Sequence, residues 1–236
     1  NVGLGYHSLV NNREGSANVG VGSFALQSNV TGNYNTALGH QANVSDPALS
    51  NATAIGFQAI VDASDKVRIG NSSVTVIEGQ VPFTTPSDGR YKFNVEENVK
   101  GLDFILQLRP VTYQFDVKKF DENLGAPLSP DTRYDNAIQM RRSGFIAQEV
   151  EKAAISTGYN FSGIIKPRST GDHYSLSYDA FVVPLVKGMQ ELHKKVEKLE
   201  KENAVLVSQN NKISELEQQL ETLKKEMKRL SASREK

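Results

Sequence analysis

A glycine preceded by an aliphatic residue returns every 17 residues through the first part of this chain. Four segments align without gaps: "NVGLGYHSL" from Asn1, "NVGVGSFAL" from Asn18, "NTALGHQAN" from Asn35 and "ATAIGFQAI" from Ala52. Their glycines are Gly5, Gly22, Gly39 and Gly56, each following Leu4, Val21, Leu38 or Ile55. A shortened fifth unit, "VRIG", ends at Gly70, 14 residues on. A unit this small cannot bury its own apolar face, so units of this kind stack. The alternation of small and aliphatic residues predicts short strands with tight corners rather than helices. Turn-rich stretches such as "NNREGSA" and "NVTGNYN" separate the units. A stalk of stacked β-helical coils is therefore expected over residues 1–80.

The same ladder excludes several functions. "GVGSFA" (Gly20–Ala25) superficially matches a dinucleotide fingerprint, but it recurs at the repeat period instead of opening a helix in a βαβ unit. His7 and His40 occupy neighbouring repeat slots with no partnering carboxylate or cysteine, so they read as corner or stacking residues. No metal and no cofactor is expected. The Asn-x-Ser/Thr triplets at Asn29 and Asn51 read as turn composition. No aromatic cluster or carboxylate constellation is apparent in the repeats, which argues against a glycan-recognition role for them. Lysine plus arginine equals aspartate plus glutamate, 27 each, so neither nucleic acid nor a charged membrane surface is an expected partner. There is no cysteine, and no apolar run approaches membrane-spanning length. The chain opens mid-pattern, without an initiator methionine or a signal peptide, so a longer parent protein is expected.

The far end has a different period. Met189, Leu192, Val196, Leu199 and Leu206, then Ile213, Leu216, Leu220, Leu223, Met227 and Leu230, are spaced as the seam of a coiled coil flanked by Glu and Lys. Asn203 and Asn210 fall on that seam, where a buried amide fixes register and oligomer state. A slip between Ile213 and Leu216 locally overwinds the supercoil. An exposed apolar stripe of this length needs a partner helix.

Between the two ends the composition becomes mixed and ordinary. "ENVKGLDFILQLRPVTYQF" predicts an amphipathic helix stopped before Pro110 and then a strand. "GFIAQEVEKAAIS" predicts a strand-like start passing into a helix. "YSLSYDAFVVPLVKGMQEL" leads into the final helix, with Pro184 tolerated near its first turns.

Two resemblances attach to these residues. The glycine ladder over Asn1–Gln80 resembles the head repeats of trimeric autotransporter adhesins and the β-helical stalks of phage tail fibres, which build their coils from three parallel chains. "SDGRYKFNV", "LQLRPVTYQF", "GFIAQEVEKA" and "LSYDAFVVPLVKGMQEL", from Ser87 to about Leu192, resemble the intramolecular chaperone domains of endosialidases, other phage tail proteins and myelin regulatory factor. That resemblance implies a trimer which templates the upstream fibre and then cleaves itself off before the serine of a Ser-Asp-x-Arg-x-Lys motif. Here the motif is Ser87, Asp88, Arg90 and Lys92, and the implied scissile bond is Pro86–Ser87.

The chemistry makes a geometric demand. Ser87 and Lys92 are five apart, which places them on different faces of either a helix or a straight strand. They meet only if the chain turns between them, and Asp88-Gly89 is a turn signal. A serine needs a base to remove its proton, and lysine serves only when neutral, after burial or beside another cation. Arg90 either contributes to such a field or pairs with Asp88. Backbone N–H groups of the Asp88-Gly89 turn are candidates for the oxyanion.

The expected fold class is mixed: an N-terminal trimeric β-helix or β-roll (residues 1–80), a linker and cleavage junction (81–86), a central α+β chaperone domain (87–188) and a C-terminal α-helical coiled coil (189–236). The expected function is a homotrimeric fibre terminus bearing a single-turnover self-cleaving Ser/Lys endopeptidase. The alternative is a non-cleaving trimerisation cap of a tail fibre or surface adhesin. A host-cell surface receptor, engaged through the upstream fibre, is the further candidate partner. The expected setting is a virion tail fibre, an extracellular injection-system fibre or a bacterial cell surface.

Overall fold

The computed structural model describes residues 1–126, 132–168 and 171–234. The strands β1 (Val2–Leu4), β2 (Val19–Val21), β3 (Thr36–Leu38), β5 (Thr53–Ile55) and β7 (Val67–Ile69) form one parallel sheet in that order. Two shorter strands, β4 (Asn43–Val44) and β6 (Ile60–Val61), pair beside it. The register steps by one repeat, Gly3 to Gly20 to Ala37 to Ala54. These central positions carry small residues because they face inward; Ala37 and Ala54 are fully buried. Each coil of this solenoid is thus one 17-residue stretch of a single chain, bonded to the coil 17 residues on. The ladder partners lie within the chain, one repeat apart.

Three features of the repeat explain why the coils stack. Gly22 has φ +128°, and a Cβ there would lie 2.5 Å from the carbonyl oxygen of Gly39, so the aliphatic-Gly corner admits no side chain. Buried asparagines supply the second. Asn18 Oδ1 accepts from the Asn35 N–H at 2.8 Å, and Asn35 Oδ1 accepts from the Ala52 N–H at 2.9 Å. Their amide groups donate to Gly32 and Leu49 carbonyls at 2.8 and 2.6 Å, so corner groups removed from water stay paired. Third, a left-handed residue recurs at His7, Phe24, Gln41 and Gln58. The N–H groups of the last three donate to the preceding coil at 2.8–2.9 Å, offsetting the strain of positive φ. The core inside is thin, made mostly of Ala25, Leu26, Ala42, Val44, Ala59 and Val61.

His7 and His40 stack, as their repeat slots predict: His7 lies on Phe24 at 5.6 Å and His40 on Phe57 at 5.8 Å between ring centroids. With Tyr6 they make an aromatic column up the solenoid. The repeats therefore do contain an aromatic cluster, hidden in sequence because its members alternate between adjacent slots. Asn29 is fully buried and hydrogen-bonded, so its triplet is no acceptor for a glycan.

Past Gly70 the chain leaves the sheet, and every residue from 73 to 98 is exposed. The helix expected over "ENVKGLDFILQL" shrinks to α1 (Leu102–Ile105). Gly101 precedes it with no side chain to cap it, and Pro110 bounds the segment on the other side. Then β8 (Val111–Gln114) is followed by α2 (Val117–Asn123), whose Asp116 cap accepts from the Lys119 N–H at 2.9 Å. Next come α3 (Thr132–Gln139), β9 (Arg141–Gly144) and α4 (Ala147–Ser156). Strands β8 and β9 pair antiparallel; of "GFIAQEVEKAAIS" the helix is found as α4, while the strand lies just before it and takes in only Gly144. A last pair, β10 (Ile164–Ile165) and β11 (Ser175–Leu176), is antiparallel too. Helix α5 runs from Val182 to Arg234, about 80 Å at the α-helical rise, with Pro184 in its first turn.

The chain divides into two compact units, residues 1–97 with 108–179, and residues 98–107 with 180–236. In the second, the Leu102 N–H donates to the Glu191 carboxylate at 2.8 Å, and Phe104 is fully buried. The seam of α5 is unburied in the single chain: Met189, Leu199, Leu206, Ile213, Leu220 and Leu223 are each more than half exposed. None of the described helices is long and apolar enough to cross a membrane.

Candidate active site

The site lies in the exposed segment between the solenoid and β8. One tight turn, a 3-10 helix over Gly89–Tyr91, reverses the chain there. Asp88 caps it, accepting from the Arg90 N–H at 2.9 Å, and the Tyr91 and Lys92 N–H groups donate to the Asp88 and Gly89 carbonyls at 3.1 Å. That turn meets the geometric demand of the five-residue offset. Lys92 Nζ donates to Ser87 Oγ at 2.7 Å.

Arg90 takes the pairing alternative. Its Nη2 lies 2.6 Å from Asp88 Oδ2, and its Nε donates to the same carboxylate at 3.0 Å. The paired guanidinium holds the Asp88 carboxyl below the usual carboxylate range, and the carboxylate raises Arg90 in turn. Arg90 also lies over the Tyr91 ring, 5.8 Å from its centroid. Its charge is therefore matched locally by Asp88. Asp88 Oδ1 takes the Arg90 N–H.

Around the pair the surface is apolar and uncovered. Phe83, Phe93, Val95 and Tyr91 are each between 78% and 88% exposed, and Val81 is 73% exposed. Large side chains this exposed, side by side, mark a surface built for another surface.

The family model described as chaperone of endosialidase matches residues 87–159, beginning at Ser87 itself. This segment is an endosialidase-type intramolecular chaperone domain. The match to the chaperone domain ends at Tyr159, so the motif "LSYDAFVVPLVKGMQEL" lies beyond it. The family bears a peptidase name. No curated protein and no solved structure matches the chain at a significant level.

Sequence reading missed one constellation. Asp62 and Lys66, in the last solenoid coil, meet Asp172 and His173 of the second half of the chain. Lys66 and Asp172 are 106 residues apart, and no motif or spacing marks either.

Proposed function

We propose that this chain is a homotrimeric fibre terminus whose chaperone domain templates the upstream solenoid and then frees itself by cutting Pro86–Ser87. The observation that carries the reading is the 2.7 Å contact between Lys92 Nζ and Ser87 Oγ at the first residue of the chaperone match. Neutral Lys92 removes the Ser87 hydroxyl proton as Oγ attacks the Pro86 carbonyl. The Asp88 and Gly89 N–H groups hold the oxyanion. Collapse breaks the Pro86–Ser87 C–N bond, the Ser87 nitrogen receives the proton, and Pro86 becomes an ester on Oγ. Water then hydrolyses the ester, leaving a Pro86 carboxylate and a free Ser87 amino terminus. These steps are an N-to-O acyl shift followed by hydrolysis of the ester.

Assembly is the switch. In one chain the dyad is open to water. Three chains brought together along α5 cover Phe83, Tyr91, Phe93 and Val95, dry the site and turn the base on. Cleavage then follows correct folding, as a disposable template requires. The apolar seam of α5, packed as a trimeric coiled coil, sets the register.

Leu199→Asp with Leu220→Asp, placed in the seam, tests this. Sedimentation is expected to give a trimer for the parent chain and a monomer for the variant, with only the parent cut after Pro86. A verified parent trimer that stays whole would instead favour the non-cleaving cap.

A further inference from the structure

Cutting one peptide bond does not by itself separate two parts of a folded chain. The bond Pro86–Ser87 lies in a stretch where every residue from 73 to 98 is exposed. The solenoid and the chaperone domain are instead joined by side chains on either side of it, within one compact unit. Lys66 Nζ stands 2.9 Å from Asp62 Oδ1 and 3.0 Å from Asp172 Oδ1. His173 Nδ1 stands 2.8 Å from Asp62 Oδ2. The Asp62 side chain is fully buried and that of Asp172 is 2% exposed.

The partners are fixed from both sides. Asp172 accepts from the N–H groups of Arg168 and His173 at 3.0 and 2.8 Å, which aims its carboxylate at the solenoid. The Phe120 ring meets His173 edge-on at 4.8 Å, and Arg68 of the solenoid lies 5.2 Å from the same ring. Ser72 donates to Asp121 at 2.5 Å. Asp62, Asp172 and His173 would also suit a metal ion by spacing. The Lys66 ammonium, within 3.0 Å of both carboxylates, already supplies the positive charge that such an ion would bring.

We propose that Asp62, Lys66, Asp172 and His173 form a clasp that keeps the chaperone domain seated on the last solenoid coil after the backbone is cut. Scission and release are then two steps, and the second requires this cluster to open. Two buried carboxylates bridged by the Lys66 ammonium make a contact that is lost together: removing the bridge or one carboxylate leaves an uncompensated charge away from water. Such pairs are also screened little by salt. The clasp gives the freshly folded solenoid time with its template in place. As a step in release it rests on the self-cleaving reading above, but as a contact it stands without it.

The experiment separates the two. In the full chain carrying Ser87→Ala, so that no self-cleavage occurs, a recognition sequence for a site-specific protease is inserted in the exposed stretch after Gly79. After complete cutting, the halves are expected to co-elute on gel filtration. With Asp172→Asn added, they are expected to part at least tenfold faster. Circular dichroism of the uncut Asp172→Asn chain checks that it is folded, and Lys66→Met serves as a second variant on the solenoid side. Halves that separate at once without either substitution would overturn the proposal. So would halves that part no faster in both variants. Because the cut is made by an added protease, neither result bears on whether Ser87 cleaves its own chain.

Discussion

The solenoid and the segment that follows it satisfy their groups in opposite ways. In the solenoid each coil finds its partners 17 residues along the same chain, through buried asparagine amides and corner carbonyls. From residue 73 to 98 the bonds described above are local ones around a single turn, Arg90 with Asp88 and Lys92 with Ser87, and Phe83, Phe93 and Val95 are exposed. The first is a structure completed by repetition; the second is left open to solvent. What the difference teaches, on the proposed reading, is where assembly acts. A region with its hydrogen bonds closed internally gives a partner little to change, whereas covering the apolar turn that carries Ser87 and Lys92 is what the proposal needs to change their chemistry.

The contrast is sharpest at glycine. Gly22→Ala drives a Cβ against the Gly39 backbone at 2.5 Å with φ +128°, and a loss of more than about 3 kcal/mol is expected in urea unfolding. Gly89→Ala in the turn between Ser87 and Lys92 meets nothing within 4 Å, and its stability is expected to stay within about 0.5 kcal/mol of the parent. Equal losses would erase the distinction. Asn35→Ala removes an acceptor from the Ala52 N–H and a donor to Leu49, so a loss of about 2–3 kcal/mol is expected by the same method.

Acid probes the joint between the two halves. Burial works to raise the Asp62 carboxyl, but polar contacts with His173 and Lys66, and their charges, hold it at about 2 against an ordinary 3.8. A carboxyl depressed in the fold stabilises it fully above its unfolded value and ceases to do so as pH falls through its folded one. About 2 kcal/mol is therefore expected to disappear between roughly pH 4 and pH 2, and a urea series across that range should lose this increment in the parent but not in Asp62→Asn. The smallest effect belongs to the turn. Asp88→Ala removes its cap, and cleavage is expected to slow by about fivefold, with the melting temperature unchanged.

How much of this could be read from the residues depended on range. The repeats were legible because their partners recur at a fixed step, so Gly22 and Gly39 announce one another. The turn joining Ser87 to Lys92 was legible because its chemistry is local: an Asp-Gly step between two residues five apart. Helix α1 was over-read because an amphipathic pattern does not report that Gly101 begins the helix uncapped. The aromatic column was missed because Tyr6, Phe24 and Phe57 sit in slots that alternate between coils. The clasp was invisible because its pairing spans 106 residues, and only the tertiary fold sets Asp172 beside Lys66.

The most direct test is intact mass spectrometry of the denatured protein, comparing the parent chain with Ser87→Ala and Lys92→Ala after each trimer has been verified by sedimentation. The account predicts two fragments in the parent, residues 1–86 and 87–236, and a single whole chain in both variants. A parent trimer that remains whole after long incubation, or a Ser87→Ala chain still cut after Pro86, would contradict it.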